Sequence, residues 1–216
     1  MAKKFDQGLE EVQDMIVRMG KAAEKMVERS MAALVDRKHE YVDEVLDTEG
    51  KMDQHQKDID ELVVKMIATY TPVASNLRFL LMVARINGEL ERVGDQAVNI
   101  AERARDLINE PPLKPLVDLP RMAEIAVEML HESVACFAGN TDKEAVDIIK
   151  RDNEVDELNN QIFRELLTYM MSDPKNIPRA LGLILVARCV ERIADHATNI
   201  AEEVVYLVRG QDIRHI

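Results

Sequence analysis

Residues that interrupt helices or cross-link chains are scarce in this sequence. Its 216 residues include eight glycines, seven prolines, two cysteines and no tryptophan. Cys136 and Cys189 stand among apolar neighbours without metal-ligand spacing, so we interpret both as small buried residues and predict neither a disulfide framework nor a cysteine metal site. The longest apolar runs, 79–84 and 183–187, are far shorter than the roughly 18 residues of a membrane-spanning helix.

Basic charge is also in short supply. The chain has 28 Lys and Arg against 40 Asp and Glu, for a formal net charge of −12. This charge would repel the phosphates of nucleic acids, and it favours cations or basic protein surfaces as partners. The N-terminal residues lack the apolar core of a signal peptide. We therefore expect a cytoplasmic protein that reaches a membrane only through its partners.

Long proline-free segments predict an all-α fold. The prolines at 72, 111, 112, 115, 120, 174 and 178 leave runs that are rich in Ala, Leu, Met, Glu, Lys and Arg. This composition favours helix, and no segment shows the period-two alternation of a strand. We predict six long helices, at 3–36, 40–70, 74–108, 119–138, 142–171 and 178–208. The methionines, which recur mainly at helical spacings, are predicted to lie in the core.

An internal repeat divides the chain. Residues 91–102 and 191–202 are identical at eight of twelve positions, and a shift of 103 residues aligns the preceding helices and predicts the first turn at 36–39. Each repeat is predicted to be a three-helix bundle, at 1–110 and 121–216, joined by a proline-rich linker at 111–120. A single period near 100 residues argues against a short-period solenoid. Thr141 and Glu144 also predict a capping box at the fifth helix.

Pairs of carboxylates at i and i+4 carry the chemistry of the repeat. They share one helix face and repel each other by a few tenths of a kcal/mol, so something must offset the repulsion. The pairs occur twice in each repeat, on adjacent helices, where four carboxylates would converge and a multivalent cation would be the natural counter-charge. The predicted metal ligands are Glu49, Asp53, Glu91, Asp95, Asp152, Asp156, Glu191 and Asp195. The predicted supporting residues are Asn99, Glu102, Asn199 and Glu202.

Two other interpretations of these carboxylates remain open from the residues alone. The face could be solvated, with Arg92 and Arg192 neutralising the acids without metal. A ferritin-like di-iron site would need two Glu-x-x-His motifs, and only Glu128 and His131 have that spacing, which we interpret as fortuitous. His196, beside the second cluster, is interpreted as a surface or hydrogen-bonding residue, with an added ligand as the alternative.

No enzymatic motif accompanies the carboxylates. The sequence has no Gly-rich phosphate loop and no nucleophile elbow or Cys/His arrangement, so we predict no catalytic and no organic-cofactor residues. A metal-dependent phosphohydrolase or oxidase that uses the same carboxylates is the enzymatic alternative. A helical scaffold without metal is the third interpretation of the function.

The doubled segment Glu-Arg-Val-Gly-Asp-x-Ala-x-Asn-Ile-Ala-Glu, followed by Glu-Arg-Ile-Ala-Asp-His-Ala-Thr-Asn-Ile-Ala-Glu, resembles the PhoU family over essentially the whole chain. The resemblance implies two three-helix bundles, with metal ions or multinuclear clusters held by the acidic-x-x-x-Asp motifs. Iron is the expected metal, with Mg, Mn, Ca and Zn as alternatives. Glu89 and Glu49 depart from the Asp that the resemblance leads one to expect.

The same resemblance implies a function. It points to a cytoplasmic, non-enzymatic negative regulator of high-affinity phosphate uptake. Its implied partners are the ATP-binding subunit of an ABC phosphate transporter and a sensor histidine kinase. A homodimer is a further possible assembly.

Overall fold

The computed structural model describes residues 2–210, which form six long helices and no strand. A short 3-10 turn, Pro174–Asn176, precedes the last helix. The all-α prediction is confirmed, and every helix end lies within one residue of its predicted position. The helices are α1 (Ala2–Asp36), α2 (His39–Tyr70), α3 (Ala74–Ile108), α4 (Asp118–Gly139), α5 (Asp142–Ser172) and α6 (Ile177–Arg209).

The turn between α1 and α2 lies at the predicted place and also provides a cap for α3. Arg37 adopts a left-handed backbone conformation with φ 58°. Its guanidinium donates to the carbonyl oxygens of Ile108 at 2.7 Å and Glu110 at 2.5 Å. The last carbonyl groups of a helix have no partner within that helix. Arg37 therefore caps the C-terminal end of α3.

The predicted capping box at α5 is wrong, although the helix begins where expected. Thr141 occupies the N-cap position but makes no side-chain hydrogen bond to the helix. Its hydroxyl group contacts the thiol of Cys136 instead, where burial raises the thiol pKa and the hydrogen bond with Thr141 partly offsets that rise. Cys136 is buried as predicted, whereas Cys189 is half-buried and packs against the core, so the prediction for Cys189 is confirmed only in part.

The six helices share one apolar core. Helices α1, α2 and α3 pack together, as do α4, α5 and α6, while α3 also packs against α6 and α1 against α4. The buried side chains form one continuous cluster. Met19, Met26, Met122 and Met129 are at most 1% exposed, which confirms their predicted place in the core. The division into two bundles at the linker stays a prediction.

None of the helices within residues 2–210 combines the length and the apolarity needed to cross a membrane.

Candidate functional site

The four predicted ligands of the first repeat meet between α2 and α3. Burial raises the pKa of Glu49, and the negative charges of Asp53, Asp95 and Glu102 raise it further. Burial also raises the pKa of Glu91, with Asp95 and Asp53 adding to the effect. Carboxylates raise one another's pKa only at short range. The structure therefore brings this set, which we call the first acidic cluster, together as predicted.

The second acidic cluster, between α5 and α6, is more deeply placed. Burial, followed by the charges of Asp195, Asp156 and Glu191, raises the pKa of Asp152 to about 6. Its Oδ1 atom is buried and has no hydrogen-bond partner. Burial and neighbouring carboxylates also raise the pKa of Glu191 and of Asp195. A buried acceptor without a partner is costly, and this oxygen of Asp152 has none in the fold.

The clusters have the chemistry of a cation site without its closed geometry. Within residues 2–210 no three His, Cys, Asp or Glu side chains are placed to hold one metal ion together. Each cluster nevertheless supplies only oxygen donors, which hard cations prefer, and the buried Oδ1 atom of Asp152 in the second cluster has no hydrogen-bond partner. The side chains of Asp53, Asp95, Asp156 and Asp195 retain access to solvent. The donor set therefore fits such a cation, and metal ligation stays a prediction.

The arginines next to the clusters do not neutralise them by direct pairing. Arg92 donates to the Oε1 atom of Glu89 at 2.7 Å, and none of the eight predicted ligands forms a salt bridge within the described residues. Arg192 lowers the pKa of Glu191 and of Asp195, but burial raises both pKa values by more. Direct pairing of the predicted ligands with arginine is therefore absent within residues 2–210, whereas the exposed aspartates agree with a solvated face.

A polar network joins α3 to α6 beside both clusters. The Oε2 atom of Glu89 lies 2.7 Å from His196 Nδ1 and accepts a hydrogen bond at 3.0 Å from the amide nitrogen of Asn199. Burial raises the pKa of Glu89, but hydrogen bonds from His196 and Asn199 and the charges of His196 and Arg92 outweigh it and leave the pKa below its ordinary value. Asn199 and His196 thus serve the contact between repeats, and the hydrogen-bonding interpretation of His196 is confirmed.

A second polar link joins the same two helices. Arg85 donates from Nη1 to the Glu203 carboxylate at 3.2 Å, and Glu203 is only 6% exposed. By contrast, Asn99 and Glu102 lie exposed on α3, and Glu202 is half-buried on α6.

Neither link was predicted from the sequence. Differences between the two copies of the repeat could have indicated them. At an offset of 100 residues the copies differ at Glu89 and Cys189, at Gln96 and His196, and at Arg103 and Glu203. Each of these pairs includes a member of a link between the repeats.

The lone Glu-x-x-His spacing does not assemble a site. His131 lies 3.3 Å from Glu24, whereas Glu128 pairs with Arg151 at 2.8 Å. The two side chains of the motif have separate partners, which favours the fortuitous interpretation.

The Glu89 network predicts a measurable stability change. Glu89→Gln keeps the shape of the side chain but removes its charge, which weakens charge-assisted hydrogen bonds, and should lower the free energy of unfolding by about 1–2 kcal/mol. Urea unfolding at pH 7 measures the change. The matched control is Glu61→Gln, at an exposed position of α2, which should unfold like the parent. Equal unfolding midpoints for both variants would show that the Glu89 network does not stabilise the fold.

Comparison with known proteins places these features in a family. The model of the PhoU domain matches twice, over residues 16–104 and 119–204. The phosphate-specific transport system accessory protein PhoU homolog of Aquifex aeolicus is 42% identical over 212 residues, covering 98% of this chain and 96% of the relative. The PhoU of Escherichia coli K12 is 33% identical over 213 residues, covering 99% and 88%.

Solved structures agree with this result. The crystal structure of PhoU from Pseudomonas aeruginosa superposes with a TM-score of 0.93 at 36% identity, covering 96% of this chain and all of the other. PhoU from Streptococcus pneumoniae gives 0.89 at 23% identity, covering 98% of this chain and all of the other, a likeness of fold alone.

Proposed function

This chain belongs to the PhoU family, and on that premise we propose that it is a non-enzymatic negative regulator of inorganic phosphate uptake. Relatives that align over nearly the whole chain are named accessory proteins of a phosphate-specific transport system. The proposed partners are the ATP-binding subunit of an ABC phosphate transporter and a sensor histidine kinase. The full-length match to these accessory proteins is the observation that carries the proposal.

The two acidic clusters are proposed to hold metal ions, with iron first and Mg, Mn, Ca or Zn as alternatives. The unpartnered buried oxygen of Asp152 and the all-oxygen donor sets support this proposal. A bound cation would supply the positive charge that the clusters lack. Neutralised clusters would present partners with a less negative surface on α2 with α3 and on α5 with α6.

A binding experiment tests the regulatory role. The full chain, immobilised, should retain the purified ATP-binding subunit and the cytoplasmic part of the kinase, and inorganic phosphate should change the amount retained. The absence of both partners, with and without phosphate, would contradict the proposal.

Metal content tests the acidic clusters. After reconstitution with ferric iron and desalting, elemental analysis should find bound metal in the parent. Asp152→Asn combined with Asp195→Asn should remove the metal of the second cluster, because charged oxygen ligands are lost. Asp43→Asn, at an exposed position of α2, is the control and should keep the full content. A parent without metal would favour the metal-free scaffold instead.

The same variants test for enzymatic activity. Hydrolysis of phosphate esters by the reconstituted parent that disappears in the double variant would favour the enzymatic alternative. We expect none, because no general base or nucleophile stands apart from the proposed ligands.

A further inference from the structure

A groove runs between the C-terminal half of α1 and the N-terminal half of α4, away from the residues of both acidic clusters. It encloses about 450 Å³. Its floor is apolar and includes Met31, Val35, Ala123 and Val127. Val35 is 46% exposed, whereas Met31 and Ala123 are nearly buried. The groove thus offers apolar surface to solvent beside a closed core.

Acidic side chains line both edges of this groove. Glu28 and Asp36 come from α1, and Glu124 and Glu128 come from α4. All four are exposed. Glu128 pairs with Arg151 at 2.8 Å, and the other three form no salt bridge within residues 2–210. No Lys or Arg lines the groove itself, although Lys25 and Arg29 lie beside Glu28 in an adjoining hollow. One acid on each edge, Asp36 on α1 and Glu124 on α4, has no cation among the residues that line the groove.

We propose that this groove binds an amphipathic helix of a partner protein, with an apolar face and with Lys or Arg at the edges of that face. The apolar face would cover the floor and remove its apolar surface from water, which favours binding. The cations would meet the two acidic edges and fix the register of the helix. Grooves with an apolar floor recognise amphipathic helices in this way, and the flexible Met31 side chain can adapt to them.

The dimensions suit a short helical contact. Asp36 lies eight positions after Glu28, which spans about 12 Å along α1 at about 1.5 Å per residue. A bound helix would therefore contact the groove over about two turns.

Charge favours a basic amphipathic helix over the other ligands that an apolar groove could bind. A second copy of this chain would bring the same acidic edges, so like charges would oppose each other. Anionic lipid and nucleic acid would be repelled by the net charge of −12. The inference requires neither metal in the clusters nor a phosphate transporter, so its success or failure is separate from that of the proposed function.

A designed peptide tests the groove directly. The probe is a fluorescein-labelled helix of about 18 residues built from Leu, Ala and Lys, with Leu on one face and Lys at its edges. A second peptide has Glu in place of Lys. Fluorescence anisotropy with the full chain should show binding of the Lys peptide and not of the Glu peptide. Hydrogen exchange should slow at residues 27–36 and 120–128 on binding.

Matched variants locate the binding site. Val35→Asp, and separately Glu28→Lys with Glu124→Lys, should weaken binding of the Lys peptide by about tenfold or more, equivalent to about 1.4 kcal/mol. The controls are Val64→Asp, at a valine of α2 that is 66% exposed, and Glu61→Lys. Each control should bind like the parent, and circular dichroism checks that all variants remain helical. Failure of the parent to bind, equal binding of the Glu peptide, or equal losses in the control variants would overturn the proposal.

Discussion

Phe137→Ala is expected to lower the free energy of unfolding by about 3–5 kcal/mol. Phe137 lies near the end of α4 and is fully buried. Its ring stacks on that of Phe79 in α3, with centroids 5.7 Å apart. Truncation would leave a cavity where α4 meets a helix of the other repeat. Rigid neighbouring helices can close such a cavity only in part, so the loss is larger than the transfer free energy of the ring.

A phenylalanine on the surface provides the control for this variant. Phe163 lies on α5 and is 48% exposed, so Phe163→Ala should change the free energy of unfolding by about 0.5 kcal/mol or less. Urea unfolding of both variants, followed by circular dichroism, measures the difference. Similar losses for the two would mean that Phe137 does not occupy a well-packed core.

Lowering the pH from 7 to about 5 is expected to stabilise the metal-free second acidic cluster. The folded pKa of Asp152 is about 6, against an ordinary value of 3.8. Between these values the folded chain binds more protons than the unfolded chain, so this contribution to stability grows as the pH falls through 6 and is complete below 3.8. Because Asp152 is only partly buried, we expect about 1–2 kcal/mol from this group.

Asp152→Asn isolates this contribution. The amide carries no charge at any of these pH values, so the metal-free variant should be more stable than the parent at pH 7 by about 1–2 kcal/mol. The difference should shrink at pH 5. Thermal unfolding after treatment with a chelator measures it, and Asp43→Asn should show no gain. A variant less stable than the metal-free parent at pH 7 would show that the Asp152 charge is compensated in the fold.

Most helices could be predicted closely from the sequence because proline marks their ends, whereas the turn at 36–39 was predicted only from the 103-residue shift between the repeats. Pro72, the prolines at 111–120 and the Asp173 to Pro174 step exclude continuous helix, and the segments between them favour it. The carboxylate pairs could also be predicted to converge if the second and third helices of each repeat face each other, because i and i+4 side chains share one face of a helix.

The contacts between the repeats could not be predicted in this way. Helical periodicity shows which side chains share a face, but it does not show which helix of the other repeat will cover that face. In the sequence Glu89 is only a departure from an expected Asp, whereas in the fold it accepts hydrogen bonds from two side chains of α6. The capping role of Arg37 could not be predicted either, because its hydrogen bonds at the end of α3 join residues about 70 positions apart in the sequence.

The pairing of α3 with α6 and of α1 with α4 has a consequence for how the molecule can diverge. Equivalent helices of the two repeats meet each other, as the same surface does in an isologous two-fold dimer. The chain therefore behaves as a dimer whose subunits are covalently fused. In a dimer of identical subunits every interface substitution appears twice, so a Glu introduced on one side also appears on the other. Here Glu89 contacts His196, whereas the equivalent positions hold Cys189 and Gln96, an asymmetry that a dimer of identical subunits could not have.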